Sequence, residues 1–227
     1  MTAESGKTAP SGLLEQLHAV LPEASLAATP LPRIPALRLW LLADILSSRA
    51  LSPQTVNTLM EQPPYWSFCW ASGQVLGAWL LAHPATVAGR TVVDVGSGSG
   101  VVALSAALAG AARVIACDLD PYARLAVQEN AALNGLRVET CDALADCLPQ
   151  AEVLTAADIL YDRDNLSLLQ TFRAAPSVWL ADSRIPGLNP PGYRRLTEEQ
   201  ASTWPDLGES SEYNRVRLFV AEGAGPV

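Results

Sequence analysis

The stretch Val92-Val93-Asp94-Val95-Gly96-Ser97-Gly98-Ser99-Gly100 decides the reading of this chain, together with Val114-Ile115-Ala116-Cys117-Asp118 further on. Apolar Thr91–Val95 reads as a buried strand. Three glycines at alternate positions let the backbone turn tightly out of it, and Val101–Ala109 has the composition of a packed helix. Without Cβ atoms, such a loop can lie flush against a flat polar ligand at a helix N-terminus. The second apolar run ends on Asp118, roughly 20 residues on, where a carboxylate can accept both hydroxyls of a ribose. The pattern predicts a nucleoside site.

Departures from the dinucleotide fingerprint narrow the ligand. G-x-G-x-x-G would need its third glycine at position 101, which is Val101. The hydrolase elbow G-x-S-x-G fails as well, since Ser97 and Ser99 lack a glycine two residues earlier. An acidic residue at the strand end, Asp94, would repel a pyrophosphate but could hold an amino group through the loop or a water. S-adenosylmethionine carries an amino group, a ribose and an adenine, and no phosphate.

Composition sets the frame. The chain has 227 residues, enough for one α/β domain with some 60 residues to spare at the front. Hydrophobic content of 49% against 17% charged residues indicates a large core. A net charge of −8 argues against tight binding to nucleic-acid phosphates and suits a neutral small molecule or a basic protein partner. Cys69, Cys117, Cys141 and Cys147 form no C-x-x-C pair and read as reduced thiols of a cytoplasmic protein. With only His18 and His83 in addition, no metal site is expected. No apolar run reaches ~18 residues, so no membrane helix is expected, and the start shows no secretory signal.

Along the chain, residues 1–10 read as a disordered tail and 11–21 as an amphipathic helix. Pro22–Pro35 reads as a linker or wrapped arm, Ala36–Ser48 as a helix, and Ser52-Pro53 as the start of another helix to about Met60. Residues 1–62 are thus expected to form an N-terminal helical extension, favoured as a cap over the cofactor site, and 63–227 the main domain. From 73 the order is regular: helix 73–83, strand 91–95, helix 101–109, strand 113–117 and a helix from Pro121 to Asn134-Gly135. Strands 136–140 and 152–159, helix 163–174 and strand 177–181 follow, then a short helix 193–200 and a last strand 215–221. This alternation predicts an α/β fold, a doubly wound, mostly parallel sheet covered on both faces.

Asp94–Gly100, Asp118 and Asp158-Ile159-Leu160-Tyr161 together resemble the class I, seven-stranded S-adenosylmethionine-dependent methyltransferases. Among them the chain is similar to the lysine methyltransferases of the electron transfer flavoprotein β subunit. The resemblance runs from about Pro63 to Asp182 and includes Pro64-Tyr65-Trp66 and Trp70-Ala71-Ser72-Gly73-Gln74. It implies a Rossmann-like fold, with Asp94, Gly96, Ser97 and Gly98 at the methionine end of the cofactor. It further implies Asp118 at the ribose, Asp142 near the adenine amino group and Trp70 against the cofactor, with Leu119 and Ala143 also among the cofactor-binding residues. Asp158 and Tyr161 would face the acceptor as the catalytic pair. Where the family often carries G-D-P-G-R-P, this chain reads Ala181-Asp182-Ser183-Arg184-Ile185-Pro186.

Methyl transfer from a sulfonium is an in-line displacement, so positioning of the acceptor lone pair dominates. A lysine amine, with a reference pKa near ~10.4, is neutral only about once in 10³ molecules at pH 7. Asp158 would attract the ammonium, while Tyr161, Trp66 and Trp70 would desolvate it and so favour proton loss. The expected function is an S-adenosylmethionine-dependent N-methyltransferase acting on lysines of a protein, such as the electron transfer flavoprotein β subunit or a ribosomal protein. Transfer to a small, nicotinamide-like amine is the alternative, and an NAD-dependent dehydrogenase a remoter one.

Overall fold

The computed structural model describes residues 8–43 and 52–222. Residues 1–7 of the expected tail lie outside this range. The front of the chain forms α1 (Ser11–Val20), a hairpin of β1 (Leu26–Pro30) and β2 (Arg38–Leu42), and α2 (Pro53–Glu61). Leu13, Leu17 and Val20 recur at helical spacing and make the buried stripe of α1. Ser52 caps α2, its Oγ accepting from the Thr55 amide at 3.1 Å.

Two expectations for this front section are corrected. The helix expected over 36–48 is replaced at Arg38–Leu42 by a strand, and positions 44–48 lie outside the described residues. Leu39 and Leu41 enter the main core, whereas Trp40 and Leu42 pack into a second cluster with Leu13, Leu17 and Trp66. Apolar burial alternating between two opposite faces has the period of a strand. The arm expected over Pro22–Pro35 contains β1, paired antiparallel with β2 from Leu26↔Leu42 to Pro30↔Arg38. The extension is therefore mixed and not wholly helical.

The rest alternates as expected: α3 (Ala71–Ala82), β3 (Thr91–Val95), α4 (Val101–Leu108), β4 (Arg113–Cys117), α5 (Pro121–Asn134) and β5 (Glu139–Cys141). Then come α6 (Leu144–Cys147), β6 (Val153–Ala157), α7 (Leu168–Phe172), β7 (Ser177–Asp182), β8 (Arg194–Gln200) and β9 (Arg215–Glu222). One seven-stranded sheet results, in the order β5-β4-β3-β6-β7-β9-β8. All of its pairs are parallel except those made by β9 with β7 and β8.

Successive residues of β3 feed opposite faces. Val92 joins the core beneath α3 and α4, while Val93 and Val95 join the core with Phe172 of α7. A central strand covered on both sides buries apolar side chains on each face, as β3 does with its valines. Asp120 caps α5 through the Tyr122 amide, and Gly135 ends it at φ 66°.

The helix expected over 193–200 is strand β8. Arg194-Arg195 and Glu198-Glu199 suit a helix by propensity, yet the segment sits at the sheet edge, where charged side chains reach water and ward off further pairing. Glu198 lies opposite Arg217 of β9 in the register and meets its Nε at 3.3 Å. Tertiary pairing overrides local preference.

Candidate active site

Strand order reverses between β3 and β6, and the crevice beyond the carboxyl ends of these strands is where a doubly wound sheet binds ligands. A cavity of about 610 Å³ lies there. Its wall takes Gly96 and Gly98 from the loop after β3, Asp118 and Leu119 from the end of β4, and Asp158 and Tyr161 from the end of β6. Tyr65, Trp66 and Trp70, just before α3, close another side. Among the described residues, none before Tyr65 lines this wall.

The glycine loop needs its glycines for distinct reasons. Gly96, Gly98 and Gly100 all have positive φ, at 65°, 51° and 83°. A Cβ on Gly96 would come within 2.6 Å of Ile159 Cγ2, whereas one on Gly98 would meet no atom nearer than the Gly96 carbonyl at 4.0 Å. Gly98 is thus free of its own fold and open toward a ligand. Asp118 braces the loop from β4: Oδ2 accepts from the Gly98 amide at 2.9 Å and Oδ1 from the Asp120 amide at 3.0 Å. Each oxygen keeps lone-pair capacity for a ribose hydroxyl. Burial raises the Asp118 carboxyl above its ordinary pKa, and the two amides oppose that effect.

Asp94 sits beneath the loop and off the cavity wall. It is 2% exposed, accepting from Thr155 Oγ1 at 2.7 Å and from the Ala103 amide at 3.1 Å. The latter bond caps α4, whose N-cap is the side-chain-free Gly100. Burial pushes Asp94 up to about 7, against the lowering effect of both bonds. Ser97 is buried next to the loop with an unpartnered Oγ. Asp142 is exposed and Ala143 half-buried, and neither lines the cavity. Leu119 lines it and is 85% exposed, an apolar side chain held out for a flat partner.

Asp158 adopts φ 53°, the one positive φ of a non-glycine among the described residues. Its carboxylate is a hub. Oδ1 accepts from Ser72 Oγ at 2.5 Å, Ser183 Oγ at 2.8 Å and the Ser183 amide at 3.0 Å, while Oδ2 accepts from the Ser72 amide at 3.1 Å. Three elements, α3, β6 and β7, are thereby locked at one point, leaving Oδ2 as the less committed oxygen. The strained backbone turns the carboxylate to this duty at the edge of the cavity.

An aromatic row borders the mouth. The Tyr65 ring stands 5.5 Å from Tyr161 and 5.7 Å from Trp70, whose Nε1 donates to the Tyr65 carbonyl at 3.0 Å. Trp66 lines the cavity but is 1% exposed and packs in the core with Leu13, Leu17 and Trp40. Among the wall residues not singled out from the sequence are Tyr65, Arg184 and Glu209. Tyr65 sits at the centre of the aromatic row. Arg184 lies over the Trp70 ring at 5.1 Å and over Tyr213 at 5.2 Å, and it pairs with Glu209 at 2.7 Å. The Pro64-Tyr65-Trp66 and Asp182-Ser183-Arg184 segments carried the only signal for Tyr65 and Arg184; Glu209 in its loop carried none. Asp118, Asp120, Asp158 and Glu209 against the single cation Arg184 make the wall acidic.

Fold and cavity together define a Rossmann-like architecture of the methyltransferase type. The 16S rRNA N2 G1207 methyltransferase of T. Thermophilus, solved with AdoMet and guanosine, superposes with a TM-score of 0.53 at 15% identity, over 88% of this chain and 50% of that one. The ribosomal protein L11 methyltransferase (PrmA) family model matches residues 80–162. The mouse electron transfer flavoprotein beta subunit lysine methyltransferase is 39% identical over 104 residues, 44% of this chain and 41% of the relative. A ribosomal protein L11 methyltransferase of Geobacter metallireducens is 32% identical over 135 residues, covering 59% and 45%. The matched stretch spans less than half the length of each of these two relatives. Among the described residues no helix is long and apolar enough to cross a membrane.

Proposed function

We propose that this chain is an S-adenosylmethionine-dependent N-methyltransferase whose acceptors are lysine side chains of a protein. The observation that carries the reading is the shared wall of one cavity. Gly96, Gly98 and Asp118 offer a nucleoside cradle on one side, and Asp158, Tyr161, Tyr65 and Trp70 an acidic, aromatic mouth on the other. The open space at Gly98 and the spare acceptors of Asp118 suit that cofactor. The names of the similar proteins support the same chemistry and a protein acceptor.

The bound cofactor would supply an electrophilic sulfonium methyl. The chain's own residues do the rest. Aromatic faces favour a cation, and the acidic wall draws an ammonium toward the mouth. Tyr161 and Tyr65, 63% and 44% exposed, leave that mouth open to a side chain presented from outside. Desolvation between the rings lowers the amine pKa, so the proton leaves to water before the mouth is filled. Four free cysteines support residence in a reducing compartment such as the cytoplasm.

Calorimetry with S-adenosylhomocysteine and NAD tests the cofactor assignment. Micromolar binding of the first with none of the second is expected. The opposite order would restore the dehydrogenase reading, which Val101 in place of a third glycine disfavours.

A further inference from the structure

Read as a sequence, the four cysteines had no metal-site spacing. The fold nevertheless gathers three of them. Cys117 ends β4, Cys141 ends β5 directly opposite it in the parallel register, and Cys147 ends α6. Their three sulfurs lie within 4.8 Å of one another. Cys117 and Cys147 are buried, and half-buried Cys141 opens the cluster toward solvent. All three are free thiols.

Two of the thiols converge on one backbone carbonyl. Cys141 Sγ donates to the Ala143 carbonyl at 3.2 Å, and Cys147 Sγ lies 3.7 Å from the same oxygen. Uncharged, the three can share a small volume without repulsion. Ionised, they would need a cation between them.

We propose that Cys117, Cys141 and Cys147 form a three-sulfur binding site for a soft, thiophilic d¹⁰ cation of the cuprous and cadmium kind. Three thiolates about 2.3 Å from a central ion stand about 4 Å apart, so the observed spacing closes with small side-chain movements. No fourth His, Cys, Asp or Glu joins the group among the described residues. Zinc, which asks for four ligands, is therefore served less well than an ion content with three sulfurs. On binding, each thiol releases its proton to solvent and gives a sulfur lone pair to the ion. The ion would tie β4, β5 and α6 together directly behind the cavity, since Cys117 and Leu144 also line its wall. None of this depends on the methyl-transfer reading.

Titration of the reduced full-length protein with Cd²⁺ alone tests the site. One equivalent should raise a thiolate-to-metal ultraviolet band, and Cys141→Ser and Cys147→Ser should each weaken binding at least tenfold, while Cys69→Ser leaves it unchanged. Should a serine variant fail to fold, the wild type still answers. One equivalent of Cd²⁺ should then slow alkylation of Cys141, read by mass spectrometry of its peptide. Absence of the band at one equivalent, binding indifferent to both serine variants, or unprotected Cys141 would overturn the proposal.

Discussion

Asp158 and Ser72 stand 86 residues apart in sequence and meet through two hydrogen bonds, from the serine hydroxyl at 2.5 Å and its amide at 3.1 Å. The N-cap of α3, Trp70, makes no capping bond with its own side chain. The carboxylate of Asp158 takes that place from the end of β6, so a residue at the mouth of the cavity also holds the N-terminus of the helix that follows the aromatic wall.

Asp158→Asn should therefore lower stability as well as turnover. An amide NH₂ among four donors leaves at least one unpaired, and charge-assisted bonds of this kind contribute about 1.5–3 kcal/mol each. Thermal unfolding should shift down by several degrees, and Ser72→Ala by less, because the Ser72 amide bond survives. An unshifted Asp158→Asn would remove the hub role.

Asp118→Ala should weaken S-adenosylhomocysteine binding at least tenfold, since the carboxylate both faces the cavity and braces the Gly98 amide. Gly98→Val should abolish binding by filling the open space at the loop and straining its positive φ. Calorimetry decides both. Wild-type affinity in either variant removes that residue from the cradle.

Asp94 sets a pH dependence of stability. Its folded pKa of about 7 lies above the unfolded value near ~3.9, so the folded state holds this proton more tightly. Its stabilising contribution is full below about pH 4 and is lost as pH rises through 7. Asp94→Asn should flatten that part of the curve. Denaturant midpoints from pH 4 to 8 give the test, and an equally steep fall in the variant would contradict the assignment.

Asn130 links the front hairpin to the glycine loop. Its Oδ1 accepts from the Trp40 amide at 2.6 Å, and its Nδ2 donates to the Ser99 carbonyl at 2.9 Å, the residue itself being fully buried. Asn130→Ala leaves both groups unpaired at about 1–3 kcal/mol each and should lower stability and cofactor affinity together. Asn130→Asp keeps the acceptor for Trp40 and loses the donor to Ser99. Equal affinities for the wild type and both variants would uncouple hairpin from loop.

Much of this was legible because local chemistry and tertiary role agreed. Thr91–Val95 and Arg113–Cys117 are strands between the very residues expected, and α5 begins at Pro121 and ends before Gly135 as its signals require. Arg38–Leu42 misled because its two apolar faces serve two different cores, a fact of packing and not of composition. Arg194–Gln200 misled because Glu198, which favours a helix locally, is paired across strands with Arg215 and Arg217. At the site, the glycines and Asp118 were visible as a motif. The serine partners of Asp158, the Arg184–Glu209 pair and the clustered thiols arise only when distant segments meet.

Lysine methylation is tested most directly by mass spectrometry of electron transfer flavoprotein β subunit and ribosomal protein L11, each incubated with this protein and deuteromethyl-labelled S-adenosylmethionine. The account predicts lysine residues of at least one of them gaining mass in single labelled-methyl steps, faster as pH rises from about 7 to 9 because the neutral amine becomes commoner. Unlabelled lysines in both proteins, alongside labelled nicotinamide from a parallel incubation, would contradict it.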